Sequence, residues 1–140
     1  MEPIASYGHK VNQLGRLFTK KLNDRLSEKG LHASQWSMIL YLHNRGRCTQ
    51  VEMAHYFNIE PPTVTRTLAR LEDLGFIARE EGKDKREKWI TLTEASQAIF
   101  DTCLEASLAI EQSALSGIAP EDLETFNRVA AAMEENLKQR

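Results

Sequence analysis

The sequence predicts a mainly helical chain with one small β-hairpin, an α+β fold built as a single domain over residues 1–140. Three observations lead there. Apolar residues recur at spacings of three and four through most of the chain, the period of helices that bury one face. Two short stretches, Phe76-Ile77-Ala78-Arg79-Glu80 and Lys88-Trp89-Ile90-Thr91-Leu92, read as strands instead, with Ile90 and Leu92 on one face and Trp89 and Thr91 on the other. A hydrophobic fraction of 41% and a charged fraction of 27% are those of an ordinary globular domain, long enough to bury a core.

Val11, Leu14, Phe18, Leu22 and Leu26 predict a first amphipathic helix running to about Lys29 and stopped by Gly30. A second helix is expected around Trp36, Ile39, Leu40 and Leu42, ending near Gly46. Thr49-Gln50-Val51-Glu52 has the form of a capping box, in which the Thr hydroxyl accepts from the amide three residues on and Glu52 reaches back. It opens a short helix with Met53, Ala54 and Phe57 inward, and Asn58 suits the left-handed residue that ends it. Pro61 and Pro62 fit the first turn of the next helix, where a missing N–H costs nothing.

That helix, expected over about Pro62 to Leu74, turns by roughly 100° per residue. Val64, Leu68 and Leu71 then share a buried stripe, and Pro62, Arg66, Ala69, Arg70 and Asp73 lie opposite. Thr63 and Thr65 flank the outer face at its N-terminal end. A short helix, a tight turn and a second helix with arginines outward at i and i+4 is the helix-turn-helix pattern, and the hairpin after Gly75 is its wing. An arginine forks onto guanine O6 and N7 in the major groove, and a threonine reaches phosphate or a thymine methyl. The positive end of the helix adds attraction for phosphate. At the wing tip, Lys85 or Arg86 suits the negative potential of a narrow minor groove, with Asp84 pairing with Arg86 and aiming it.

Thr93 is expected to cap a long helix with Ile99, Cys103, Ala106 and Ile110 on one stripe. Pro120 starts the last helix, where Leu123, Phe126, Ala130, Met133 and Leu137 make a coiled-coil-like seam. One chain has little core to cover this seam, the first helix and the long fifth helix together. A homodimer resolves that, and sets two recognition helices about one DNA turn apart, ~34–36 Å. Residues 31–92 are thus expected to form the winged helix-turn-helix part, and residues 1–30 and 93–140 the helical dimerisation part.

Charge is distributed unevenly. Residues 1–46 carry seven Lys/Arg and three Asp/Glu, residues 47–92 eight of each, and residues 93–140 three against nine. The acid of this chain of net charge −2 therefore gathers away from the stretch assigned to DNA. No run of apolar residues is long enough to span a membrane, and residues 1–10 have no apolar signal core. Two distant cysteines, Cys48 and Cys103, fit a reducing compartment, so the expected location is the cytoplasm. Gly-rich phosphate loops, a Gly-x-Ser-x-Gly elbow and a His-Glu-x-x-His pair are absent from the sequence, which argues against an enzyme and offers no cofactor site.

Several short runs stand together in order: Gln35-Trp36, Thr49-Gln50, Pro62-Thr63-Val64-Thr65-Arg66, Leu71-Glu72, Gly75-Phe76-Ile77, Asp84-Lys85-Arg86, Leu92-Thr93-Glu94 and Glu134-Glu135-Asn136-Leu137. With these the sequence resembles the MarR family of bacterial regulators over nearly its whole length. The resemblance implies a winged-helix dimer on a pseudo-palindromic operator of double-stranded DNA, often released by a small-molecule effector or an oxidant. The expected role is a transcriptional repressor. By position, Pro62 to Arg70 would read the DNA and Asp84 with Arg86 would form the wing pair. The residues expected at DNA are Thr49, Gln50, Pro62, Thr63, Thr65, Arg66, Arg70, Lys83, Asp84, Lys85 and Arg86. His32, Ser96 and Ala119 depart from the family's common Thr, Gly and Ser.

Two other readings stay open at the level of sequence. One is a winged-helix protein-interaction module without DNA binding, its acidic C-terminal third docking a basic partner. The other is a redox- or metal-sensing regulator. For that, Cys48 ahead of a helix N-terminus is the better thiol, Cys103 lies on an apolar stripe, and His9, His32, His43 and His55 show no ligand spacing. Nothing in the residues identifies a ligand.

Overall fold

The computed structural model describes Ile4 and residues 6–84 and 88–139. The elements in chain order are α1 (Tyr7–Leu26), a 3-10 turn (Ser27–Lys29), α2 (Ala33–Arg45), β1 (Arg47–Cys48), α3 (Gln50–Phe57), α4 (Pro61–Asp73), β2 (Ile77–Glu81), β3 (Lys88–Leu92), α5 (Ser96–Ala114) and α6 (Pro120–Lys138). The fold is mainly helical with a small antiparallel sheet, as the sequence predicts. Two compact units divide the chain, residues 1–110 and residues 111–140.

In the first unit, α1 is capped by Ser6, whose Oγ accepts from the His9 amide at 3.3 Å. The helix expected to run to Lys29 tightens into a 3-10 turn after Leu26, and Gly30 at φ 74° ends it. Asn23 near the end of α1 accepts from the Ala33 amide at 2.7 Å, so the first helix caps the second. Buried residues all around α2 (Trp36, Met38, Ile39, Tyr41, Leu42) place it at the centre of the core. The Trp36 and Phe100 rings meet at 5.4 Å, and Leu26, Met53, Val64, Leu68, Leu71, Ile90 and Cys103 complete the packing.

The stripe expected on α4 is fully buried at Val64, Leu68 and Leu71. The turn before it begins as expected, with Asn58 left-handed at φ 54°, and the Ile59 amide closes onto the Ala54 carbonyl. The helix begins at Pro61, one residue before the expected start, because prolines suit its first two positions. It ends at Asp73. Gly75 at φ 83° lets the Phe76 amide reach the Leu71 carbonyl and the Gly75 amide reach Glu72, a Schellman closure.

Strand β3 pairs with β2 in the register Ile77↔Leu92, Arg79↔Ile90 and Glu81↔Lys88, and with β1 in the register Cys48↔Ile90. The third strand is unforeseen; two residues are too few to show any period. On the far face, the Arg47 guanidinium lies 4.1 Å from the Trp89 ring centre. Thr93 does not cap α5. Its hydroxyl donates to the Gly75 carbonyl at 2.6 Å, fastening the end of the hairpin to its start, and α5 opens at Ser96, whose hydroxyl donates to the Thr93 carbonyl.

In the second unit, Gly117 at φ 79° turns the chain into α6. Ala119 offers no capping side chain, and the helix starts on Pro120 with Glu121 and Asp122 complementing the positive end of its dipole. Along the expected seam, Leu123 and Ala130 are half-buried, whereas Phe126 is 58% and Leu137 86% exposed.

Candidate nucleic-acid interface

The exposed face of α4 lies directly opposite the buried stripe, and carries Pro62, Thr63, Thr65, Arg66 and Arg70. The face is rigid because Val64, Leu68 and Leu71 leave its helix one orientation on the core. Arg66 folds back along the helix, its Nη2 donating to Thr63 Oγ1 at 3.3 Å. Arg70 stands one turn further on, also exposed.

The helix N-terminus is less of an anion site than expected. Pro61 and Pro62 have no N–H, and the Thr63 and Val64 amides donate to the Glu60 carbonyl at 3.0 and 3.3 Å. What reaches a phosphate there is the field of the aligned peptides, with the first amides already used.

Thr49 and Gln50, at the start of α3, are half-buried. Thr49 Oγ1 accepts from the Glu52 amide at 3.2 Å, as the capping box requires, but Glu52 does not reach back. Its carboxylate instead accepts from Arg45 at 2.7 Å, a charge-assisted bond stronger than one to an amide. Gln50 lies in a network the sequence did not reveal. Arg79 Nη1 donates to Gln50 Oε1 at 2.8 Å, and Gln50 Nε2 donates to Thr65 Oγ1 at 3.1 Å. Thr65 Oγ1 donates to the Pro61 carbonyl at 3.1 Å, and Arg79 Nε donates to Glu72 Oε2 at 3.3 Å. The structure thus joins Gln50 directly to Thr65, and Arg79 links Gln50 to Glu72. A signal for Arg79 was present. It shares strand parity with buried Ile77, and a charge at an inward position needs a partner.

On the wing, Lys83 and Asp84 are exposed. Lys85 and Arg86, and with them the expected Asp84–Arg86 pair, lie outside the described residues.

Neither cysteine has the surroundings of an activated thiol. Cys48 is fully buried, and burial, reinforced by the Glu52 carboxylate, pushes its pKa up to about 11 against the opposing pull of Arg45. This reverses the lowering expected from a nearby helix N-terminus: loss of hydration outweighs the helix field. Burial raises Cys103 too. Among the described residues no group of His, Cys, Asp or Glu is clustered to hold a metal, and no helix is long and apolar enough to cross a membrane.

A model of the MarR family matches residues 31–88. The HTH-type transcriptional regulator YwoH of Bacillus subtilis (strain 168), itself uncharacterised, is 40% identical over 121 residues, 86% of this chain and 88% of that protein. Among solved structures, the transcriptional regulator PA3341 superposes with a TM-score of 0.89 at 28% identity, covering 96% of this chain and 100% of that one. A mutant MarR from E. coli complexed with operator DNA superposes with a TM-score of 0.81 at 21% identity, covering 90% and 91%.

Proposed function

Because the chain belongs to the MarR family, we propose that it is a cytoplasmic transcriptional repressor that binds a pseudo-palindromic operator as a homodimer, with α4 as the recognition helix. One observation carries the reading: two exposed arginines, Arg66 and Arg70, stand a helical turn apart on a helix whose other side is locked into the core. In a major groove that pair meets guanine edges, and Thr63 and Thr65 meet phosphate or a thymine methyl. Pro62 starts the face without a competing N–H. Thr49 and Gln50 approach the same groove from the start of α3. Lys83, Asp84, Lys85 and Arg86 bring the wing to the flanking minor groove.

Dimerisation is supported by apolar surface left uncovered. Tyr7, Val11, Leu14 and Leu17 on α1, and Phe126, Val129, Met133 and Leu137 on α6, are all exposed, two sets of apolar side chains each carried by one amphipathic helix. A second copy covers such surface, and the two-fold axis then pairs the recognition helices. Release of the operator by a small-molecule effector belongs to the same proposal, and rests on the family resemblance. Thiol sensing is disfavoured by the burial and raised pKa of both cysteines.

The test is a gel shift on the promoter region upstream of the chain's own gene, across a salt series. Specific nanomolar-range binding is expected, weakening with salt at a log–log slope of about −0.9 per neutralised phosphate. No shift at low salt on any promoter fragment contradicts the proposal and favours a protein-interaction module.

A further inference from the structure

We infer that Arg79 is a positioning residue for the DNA-reading surface: it fixes which end of the Gln50 amide faces Thr65, and ties the wing strand to the recognition helix through Glu72. The inference rests on the DNA-binding reading above and deepens it.

The chemistry of the network leaves one arrangement of protons. Arginine has donors only, so the Gln50 end 2.8 Å from Arg79 Nη1 must be the carbonyl oxygen. The amide nitrogen is therefore the end beside Thr65, and it donates. A hydroxyl has one proton, and Thr65 gives it to the Pro61 carbonyl, which only accepts. Thr65 receives the Gln50 N–H on a lone pair, and every bond in the chain is consistent. Two consequences follow for DNA. The acceptor oxygen of Gln50, which a phosphate repels, is held on the Arg79 side. The remaining N–H of Gln50 stays available as a donor. Without Arg79 the amide is released to turn over and present oxygen instead.

The second arm acts between elements. Arg79 Nε on β2 reaches Glu72 Oε2 on α4 at 3.3 Å, with the arginine side chain 26% exposed. One guanidinium thus bridges α3, α4 and the wing strand, a geometry its planar fork allows and a lysine ammonium does not. The network accounts for an acidic residue on the recognition helix, where bare electrostatics disfavours one.

The experiment compares operator affinity and salt slope for wild type, Glu72→Gln, Arg79→Lys, Arg79→Ala and Gln50→Ala, together with the Gln50→Ala/Arg79→Ala double variant. Thermal unfolding of each is recorded alongside. Removing the Glu72 charge should tighten binding if only net charge matters; the inference requires that Glu72→Gln weaken it, by roughly threefold to tenfold. Arg79→Lys should lose about tenfold, as Arg79→Ala does, with the salt slope of wild type. In the Gln50→Ala background, Arg79→Ala should cost much less than it does alone. Glu72→Gln binding as well as or better than wild type overturns the inference. So does full affinity in Arg79→Lys with a reduced slope in Arg79→Ala, the signature of a direct phosphate contact. If an Arg79 variant fails to fold, the exposed, isosteric Glu72→Gln still decides. A wild type indifferent to DNA overturns the functional reading itself; a wild type that binds beside unaffected variants overturns only the coupling.

Discussion

Arg66 and Arg70 were legible from a helical wheel, because three fully buried aliphatic residues fix which way the opposite side points. Truncating either to Ala should cost ~1–3 kcal/mol of operator binding and relax base preference at one position per half-site. A titration on operators altered one base pair at a time checks this. Arg79 was harder to read. Its role depends on a glutamine 29 residues earlier, and no local period encodes such a contact. Cys48 misled in sign, since its proximity to a helix start is visible in sequence and its burial is not. Its raised pKa has a measurable outcome. The folded protein keeps the proton that the unfolded chain loses above roughly pH 9, so the stability contributed at neutral pH disappears as pH rises toward about 11. Denaturant unfolding should show a loss of up to about 3 kcal/mol across that window, reduced in Cys48→Ala. Folded protein at neutral pH should also resist iodoacetamide until denatured.

Element boundaries followed the residues that force the backbone. Gly75, Asn58 and Gly30 all adopt positive φ, and each marks an end predicted from residue type alone. Where a boundary moved, a particular bond moved it: Thr93 fastens the hairpin in place of capping α5, and Arg45 takes the Glu52 carboxylate from the capping box. The two-residue strand β1 carries no period and shows only once β3 is in place beside it. Gly75 gives this scale its prediction. A Cβ there meets nothing within 4 Å, so Gly75→Ala suffers only the left-handed backbone at φ 83°. That should lower stability by about 1–2 kcal/mol, read from the urea midpoint. Because Gly75 sets the exit of the recognition helix into the wing, operator affinity should fall with it.

At the scale of the molecule, the apolar spacing of α1 and α6 was plain in sequence, and the structure leaves much of it in solvent. Val11 is 57% exposed while Leu26, on the same stripe, is buried, so one end of α1 belongs to the core and the other stands in solvent, where the proposed dimer would cover it. Phe126→Glu should shift sedimentation from dimer to monomer and weaken operator binding by roughly tenfold or more, since two half-sites are no longer engaged together. The most direct test of the whole account is protection of guanine N7 from dimethyl sulfate on an operator selected from random duplexes. Two protected clusters in the major groove, about 10–10.5 base pairs apart and lost in the Arg66→Ala/Arg70→Ala variant, are the predicted result. Protection confined to a single window, or unchanged in that variant, contradicts it.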